Sequence, residues 1–234
     1  MFERAQHRRI AAVLTRLDAD FLRSHHCYFG GGTAIAMRYG EYRESVDIDL
    51  LVSDSDGYRA LRQRLAGARD VSALLRAGAE LPEQAREVRA DQYGIRATLA
   101  VEARPIKFEI VREARIVLDA PSAMDTVCGI ATLTPLDLAA SKLLANSDRW
   151  NDDGVFSRDV IDLAMMAPRR LLLLRAIAKA EAAYGDAIRA DLGKALDRIA
   201  RRDGWLERCM QAMAMSLPKA VLLQRLRALR RVLD

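Results

Sequence analysis

Asp47 and Asp49, in the segment Val46-Asp47-Ile48-Asp49-Leu50, are the residues of this chain best suited to hold a metal ion. Their apolar neighbours predict a strand, and side chains two apart on a strand share a face. The two carboxylates should therefore converge while Val46, Ile48 and Leu50 fill the other side. Two hard oxygen ligands on one strand suit Mg2+, with Mn2+ as a substitute, because Mg2+ keeps part of its water shell and takes further ligands from substrate phosphates. Two such ions can clamp the attacking and leaving oxygens of a displacement. Upstream, Cys27-Tyr28-Phe29 reads as a short buried strand that ends in the glycines 30, 31 and 32. Those glycines let the backbone turn and approach a phosphate without Cβ hindrance. Thr33 is expected to cap a helix running from Ala34 to Tyr39. The combination points to a nucleoside triphosphate (NTP) bound with magnesium.

Gly31-Gly32-Thr33-Ala34, taken with Arg43-Glu44-Ser45-Val46-Asp47-Ile48-Asp49-Leu50, resembles the signature of the nucleotidyltransferase superfamily. In particular, these residues resemble the AbiEii/AbiGii-type nucleotidyltransferase toxins of type IV toxin–antitoxin and abortive-infection systems. The resemblance implies an α+β fold: an N-terminal nucleotidyltransferase domain with a mixed β-sheet flanked by helices, then a C-terminal helical bundle. It also implies that Gly31, Gly32, Thr33 and Ser45 seat the nucleotide's phosphates. A third carboxylate on a neighbouring strand is part of the superfamily pattern. Glu109, in the alternating stretch Pro105-Ile106-Lys107-Phe108-Glu109-Ile110-Val111, is the candidate, with Glu102 as a substitute. Aspartate is the commoner residue there, and the competing reading of Glu109 is a strand carboxylate paired with Lys107 or Arg112.

The second likeness lies in Leu136-Asp137-Leu138-Ala139-Ala140-Ser141-Lys142-Leu143-Leu144 and in Ser157-Arg158-Asp159-Val160-Ile161-Asp162-Leu163. AbiEii-like proteins carry a similar lysine helix followed by an Arg-Asp-x-x-Asp helix. Thr134-Pro135 is a helix start, with Thr134 as N-cap and Pro135 in the first helical position. Lys142 then projects from an apolar helix, with Asn146 and Arg149 one and two turns on. Asp159 and Asp162, three apart, share a face. By resemblance, Lys142 neutralises the triphosphate. A carboxylate on the second helix works with it, Asp159 first and Asp162 second, with Arg158 beside them. The competing reading is that Arg158, Asp159 and Asp162 make ion pairs and that Lys142 is an ordinary helix lysine.

The elements that must position these residues follow from periodicity. Phe2 to Arg23 carries Ile10, Val13, Leu14, Leu17 and Phe21 at helical spacing, which predicts one amphipathic helix. Strands are predicted at 26–30, 46–52, 95–101, 106–111 and 115–118, and helices at 58–66 and, over an arginine-rich stretch, at 71–92. The segment 148–154 reads as a loop before Ser157 caps the next helix. Beyond Thr134 the pattern is helical, interrupted at Pro168, Gly185, Gly204 and Pro218. Two domains are therefore expected, 1–133 and 134–234, with the second contributing Lys142 and Asp159 to the site.

The chain has 234 residues, 51% of them hydrophobic, enough for a sizeable core. It has no apolar run of the roughly 18 residues that a bilayer requires and no signal-peptide core near its start, so a cytoplasmic protein without a membrane partner is expected. Cys27, Cys128 and Cys209 are odd in number and scattered, which argues against a disulfide framework or a zinc site. Neither do His7, His25 and His26 have a matching ligand pair. The net charge of +5 favours an anionic partner, with basic clusters at Arg198, Arg201 and Arg202 and at Arg225, Arg227, Arg230 and Arg231. Tyr39, Tyr42 and Trp150 are candidates for stacking on a base. The leading expectation is a nucleotidyltransferase toxin that moves a nucleoside monophosphate (NMP) from an NTP to RNA, by resemblance tRNA, and is paired with an antitoxin. The alternative is a catalytically inactive nucleotide- or RNA-binding interaction or sensor module.

Overall fold

A computed structural model describes residues 2–66, 70–80 and 83–233, without the side chains of residues 83–86. The chain forms two compact units, Met1–Arg38 with Ser45–Thr134, and Tyr39–Glu44 with Pro135–Asp234.

The first unit is built on a five-stranded mixed sheet in the order β1-β2-β5-β4-β3. Its strands are β1 (Tyr28–Gly30), β2 (Ile48–Val52), β3 (Glu83–Ala90), β4 (Gly94–Val101) and β5 (Arg104–Arg112). β1 runs antiparallel to β2, β2 runs parallel to β5, and β4 runs antiparallel to both β5 and β3. Strand alternation decides what is buried: Ile106, Phe108 and Ile110 of β5 have no exposed surface, and neither do Ile48, Leu50 and Val52 of β2. Glu109 and Asp49 alternate with them and are half-buried. Helices α1 (Ala5–Leu14), α2 (Ala19–Ser24), α3 (Gly31–Arg38) and α4 (Ser55–Leu65) complete the unit with a short ribbon, β6 (Thr126–Val127) and β7 (Ile130–Ala131).

Four sequence expectations are corrected here. The single helix over 2–23 is two helices, because the Asp18 carboxylate accepts a hydrogen bond from the Phe21 N–H at 3.0 Å and starts α2 afresh. Val46 is 45% exposed and lies ahead of β2, so it does not fill the core side. The helix expected over 71–92 is a 3-10 turn at Val71–Leu74 followed by β3, with residues 81–82 outside the described residues. β3 is an edge strand, and charged side chains on such a strand discourage pairing with another chain. Arg115–Leu118 forms no strand: the Leu118 N–H donates to Ser53 Oγ (2.9 Å) and the Arg115 N–H to Glu113 Oε1 (2.8 Å) instead.

The second unit is helical: α5 (Pro135–Arg149), α6 (Arg158–Met166), α7 (Arg170–Tyr184), α8 (Ala187–Arg201), α9 (Trp205–Ala212) and α10 (Lys219–Leu233). Breaks fall at the glycines and prolines picked out in the sequence. Residues 39–44 belong to this unit, although they precede β2 in the chain. The Glu44 N–H donates to the Met213 carbonyl (2.9 Å) and the Ser216 N–H to the Tyr42 carbonyl (3.2 Å).

Candidate active site

In the first unit, strand register sets Asp49 opposite Gly30 on β1 and opposite Glu109 on β5. The chain leaves β1 directly into α3, which begins at Gly31, three residues earlier than expected. Gly31 has φ +67°, and a Cβ there would lie 2.3 Å from Asp49 Oδ2. Only glycine combines that conformation with that closeness. The carboxylate thus sits at the positive end of a helix. Thr33 is therefore inside the first turn rather than at the cap; it is 1% exposed and its hydroxyl donates to Ser45 Oγ at 2.8 Å. That contact ties the glycine turn to the segment leading into Asp47 and Asp49. Asp47 is half-buried, one residue ahead of β2.

Glu109 stands beside Asp49 but is already engaged. Lys107 Nζ is 2.8 Å from one of its oxygens and Arg96 Nε 3.3 Å from the other. Arg112, the other partner considered, donates to Ser55 Oγ at 3.0 Å. Glu102 is exposed, has φ +53° and pairs with Arg9 at 2.8 Å. Among the described residues no three His, Cys, Asp or Glu side chains gather closely enough to hold an ion by themselves.

In the second unit Lys142, Asp159 and Asp162 come together in a buried ionic network. Lys142 Nζ donates to Asp159 Oδ1 (2.9 Å) and lies 2.7 Å from Asp162 Oδ2. Arg149 holds Asp159 with two bonds, Nε to Oδ2 (2.7 Å) and Nη2 to Oδ1 (2.9 Å). Arg43 holds Asp162 in the same forked manner, at 2.6 and 2.9 Å, and the Tyr42 hydroxyl donates to Asp162 Oδ1 at 2.6 Å. Three cations face two carboxylates. Burial opposes ionisation of both aspartates, but the charges and hydrogen bonds of Lys142 and Arg149 hold Asp159 well below the usual carboxylate range, and Arg43 and Lys142 lower Asp162. Burial and the adjacent Asp162 raise the Tyr42 hydroxyl well above its ordinary value. Burial works against the Arg43 charge, and Asp162 more than offsets it.

Sequence reasoning grouped Lys142 with Asp159 and Asp162 and missed the other half of the network. Arg43 and Tyr42 lie some 120 positions from Asp162 in the chain, and nothing local marks them as its partners. The i, i+7 placement of Lys142 and Arg149 on one helix was the available signal for Arg149. Ser157 does not cap α6; its hydroxyl accepts from Trp205 Nε1 at 2.9 Å. Arg158 is half-buried and outside the network. Tyr42 is 3% exposed and so cannot stack on a base, while Trp150 is half-buried under the Lys194 ammonium, 5.3 Å from its ring centroid. Several basic-cluster residues are occupied internally: Arg202 on Asp153, Arg225 on the Met165 carbonyl and Arg230 on Asp197. No helix among the described residues is long and apolar enough to cross a membrane.

A glycine turn entering a helix, an adjacent Asp-x-Asp strand and a mixed sheet are together the core of a nucleotidyltransferase. The family described as "Nucleotidyl transferase AbiEii toxin, Type IV TA system" matches over residues 12–233, and the chain belongs to it. The match continues to the end of α10, so the helical unit is part of the family's design. The structure is similar to that of JHP933 from Helicobacter pylori at 15% identity, with a TM-score of 0.51, covering 100% of this chain and 95% of that one. A solved candidate nucleotidyltransferase from H. pylori gives 16% identity, coverage of 100% and 97%, and a TM-score of 0.49. No curated protein matches. The chain is accordingly a nucleotidyltransferase of a toxin family.

Proposed function

We propose that this nucleotidyltransferase toxin is Mg2+-dependent and joins an NMP from an NTP to an RNA acceptor, tRNA, in the cytoplasm, and that a cognate antitoxin restrains it. The observation that carries the reading is the Asp49 carboxylate lying against Gly31 at the start of α3, with Asp47 two positions before it. Two carboxylates, with Glu109 beside them engaged by Lys107 and Arg96, fit Mg2+, which commonly binds through one or two carboxylates and completes its shell with substrate phosphates and water. Asp47 and Asp49 would hold the ion. When bound, it would neutralise charge developing on the phosphates.

In the reaction the acceptor hydroxyl oxygen forms a bond to the α-phosphorus as the bond to the β-phosphate oxygen breaks, and pyrophosphate leaves. The turn Gly31-Gly32-Thr33, held by the Thr33–Ser45 hydrogen bond, seats the phosphates. Lys107 is 56% exposed and able to turn toward a triphosphate, and in doing so it frees one oxygen of Glu109 to take the acceptor's proton. Such catalysis consists mainly of positioning and charge stabilisation. Lys142 and Asp159 are assigned a part in the transfer on the family resemblance.

The test is incubation of total tRNA and Mg2+ with each α-labelled NTP, comparing wild type with Asp47→Ala/Asp49→Ala. Label on RNA from the wild type alone is expected. Mg2+-dependent NTP binding with no labelled product would support the inactive-sensor reading instead.

A further inference from the structure

Away from the carboxylates, the first unit carries a cavity of about 380 Å3 that none of the assignments above uses. Ser55, Arg59, Arg62 and Ala66 line it at spacings of four, three and four residues, which makes them one stripe along α4 and just past its end. Arg112 enters from the end of β5, and Gln92 from the turn between β3 and β4. Two elements, α4 and β5, therefore bring three guanidinium groups to one concavity.

The surroundings leave that charge largely uncompensated. Arg59 pairs with Asp56 at 2.9 Å, but both side chains are strongly exposed, 67% and 82%, so the pair is weak. Arg112 is oriented by a neutral group, the Ser55 hydroxyl. Arg62 is exposed and has no ion-pair partner among the described residues. Asp91, the other nearby carboxylate, is taken by Arg96 and by the N–H groups of Tyr93 and Gly94. The floor is Tyr58, 4% exposed, with its hydroxyl donating to the Asp91 carbonyl at 2.6 Å. With that ring buried, none of the residues lining the cavity offers an open aromatic face for a base to stack on, so the lining suits phosphates rather than nucleobases.

It is also separate from the phosphate-seating turn. Arg112 lies three residues beyond Glu109 on β5, so alternation aims it to the opposite face of the strand, about 10 Å further along.

We propose that the Arg59–Arg62–Arg112 cavity binds backbone phosphates of the acceptor RNA, a docking site distinct from the one that takes the NTP. This rests on RNA being the acceptor.

The test is anisotropy of fluorescently labelled total tRNA titrated with the full chain, without NTP or Mg2+, across a salt series. Wild type is compared with Arg59→Ala/Arg62→Ala/Arg112→Ala and with a control on another basic surface, Arg227→Ala/Arg231→Ala. The triple variant is expected to bind about ten-fold or more weakly, and its log K against log salt slope should fall by about two to three, since each lost phosphate contact removes roughly 0.7–0.9. The control should bind as wild type does. Equal affinity and slope for the triple variant would overturn the proposal, as would loss of binding in the control alone. Release of the RNA by inorganic tripolyphosphate as readily, per phosphate, as by unlabelled tRNA would make the cavity a small-anion site and overturn it too. If the wild type labels RNA from an NTP while the triple variant binds RNA normally, the docking site falls and the enzymatic reading stands. If the wild type neither binds nor labels RNA, both fall.

Discussion

Gly31→Ala separates the backbone cost of a left-handed residue from the cost of displacing Asp49, the proposed metal ligand. Placing alanine at φ +67° costs about 1–2 kcal/mol, the usual penalty for a Cβ in that region. In a chain of this size that lowers Tm by about 2–4 °C per kcal/mol. The second cost is local: the new Cβ would lie 2.3 Å from Asp49 Oδ2 and 3.0 Å from its Cβ and Cγ, so the carboxylate must retreat by about 1 Å to reach ordinary contact. A displacement of that size at a reacting centre costs about 100-fold in rate, equivalent to about 2.7 kcal/mol. Gly129→Ala is the control, because Gly129 has φ +82° and nothing within 4 Å of the Cβ position. Thermal denaturation and steady-state nucleotide transfer should show similar losses of stability in the two variants, and a large fall in turnover in Gly31→Ala only. Turnover in Gly31→Ala within a few-fold of Gly129→Ala would refute the argument that this close approach sets the position of Asp49.

Asp162→Asn leaves Arg43 and Lys142, 6% and 7% exposed in their side chains, without one of their carboxylates. It should cost about 3–5 kcal/mol, seen as a fall in the midpoint of denaturant unfolding. The same network predicts the acid limb of stability. Asp159 and Asp162 have folded-state pKa values below the unfolded carboxylate value of about 3.9, so their contribution is complete above that pH and is lost as pH falls below it toward the folded values. Tm measured from pH 5 down to pH 2 should drop more steeply in the wild type than in Asp159→Asn/Asp162→Asn. Burial pushes the Cys27 thiol up strongly and Cys209 up to about 11, whereas Cys128 is only half-buried. Maleimide followed by mass spectrometry should modify Cys128 first in the native protein, and the other two only after denaturant is added.

What was legible in the sequence was local. The glycine turn, the paired aspartates and the Lys142 and Asp159 helices declare themselves within a dozen residues, because period-2 and period-3.6 patterns and turn residues act over that range. The strap 39–44 was not legible: its membership of the helical unit depends on Arg43 and Tyr42 meeting Asp162 far along the chain. β3 was misread because an arginine-rich edge strand lacks the apolar alternation of its inner neighbours β4 and β5. The expected cap at Thr33 failed for a different reason. Glycine at 31, with positive φ, allows the helix to start directly from β1, and that conformation leaves no trace in hydrophobic patterning.

The central claim is that Asp47 and Asp49 support transfer of the α-phosphoryl group with its nucleoside. The most direct measurement supplies the preferred NTP labelled at either the α- or the γ-phosphate to wild type, Asp49→Asn and Asp47→Asn, with Mg2+ or with EDTA. The account predicts acceptor labelled from the α-position only, with Mg2+ only and by the wild type only, and γ-label recovered as pyrophosphate. Label entering the acceptor from the γ-phosphate, or undiminished α-labelling by either variant, would contradict it.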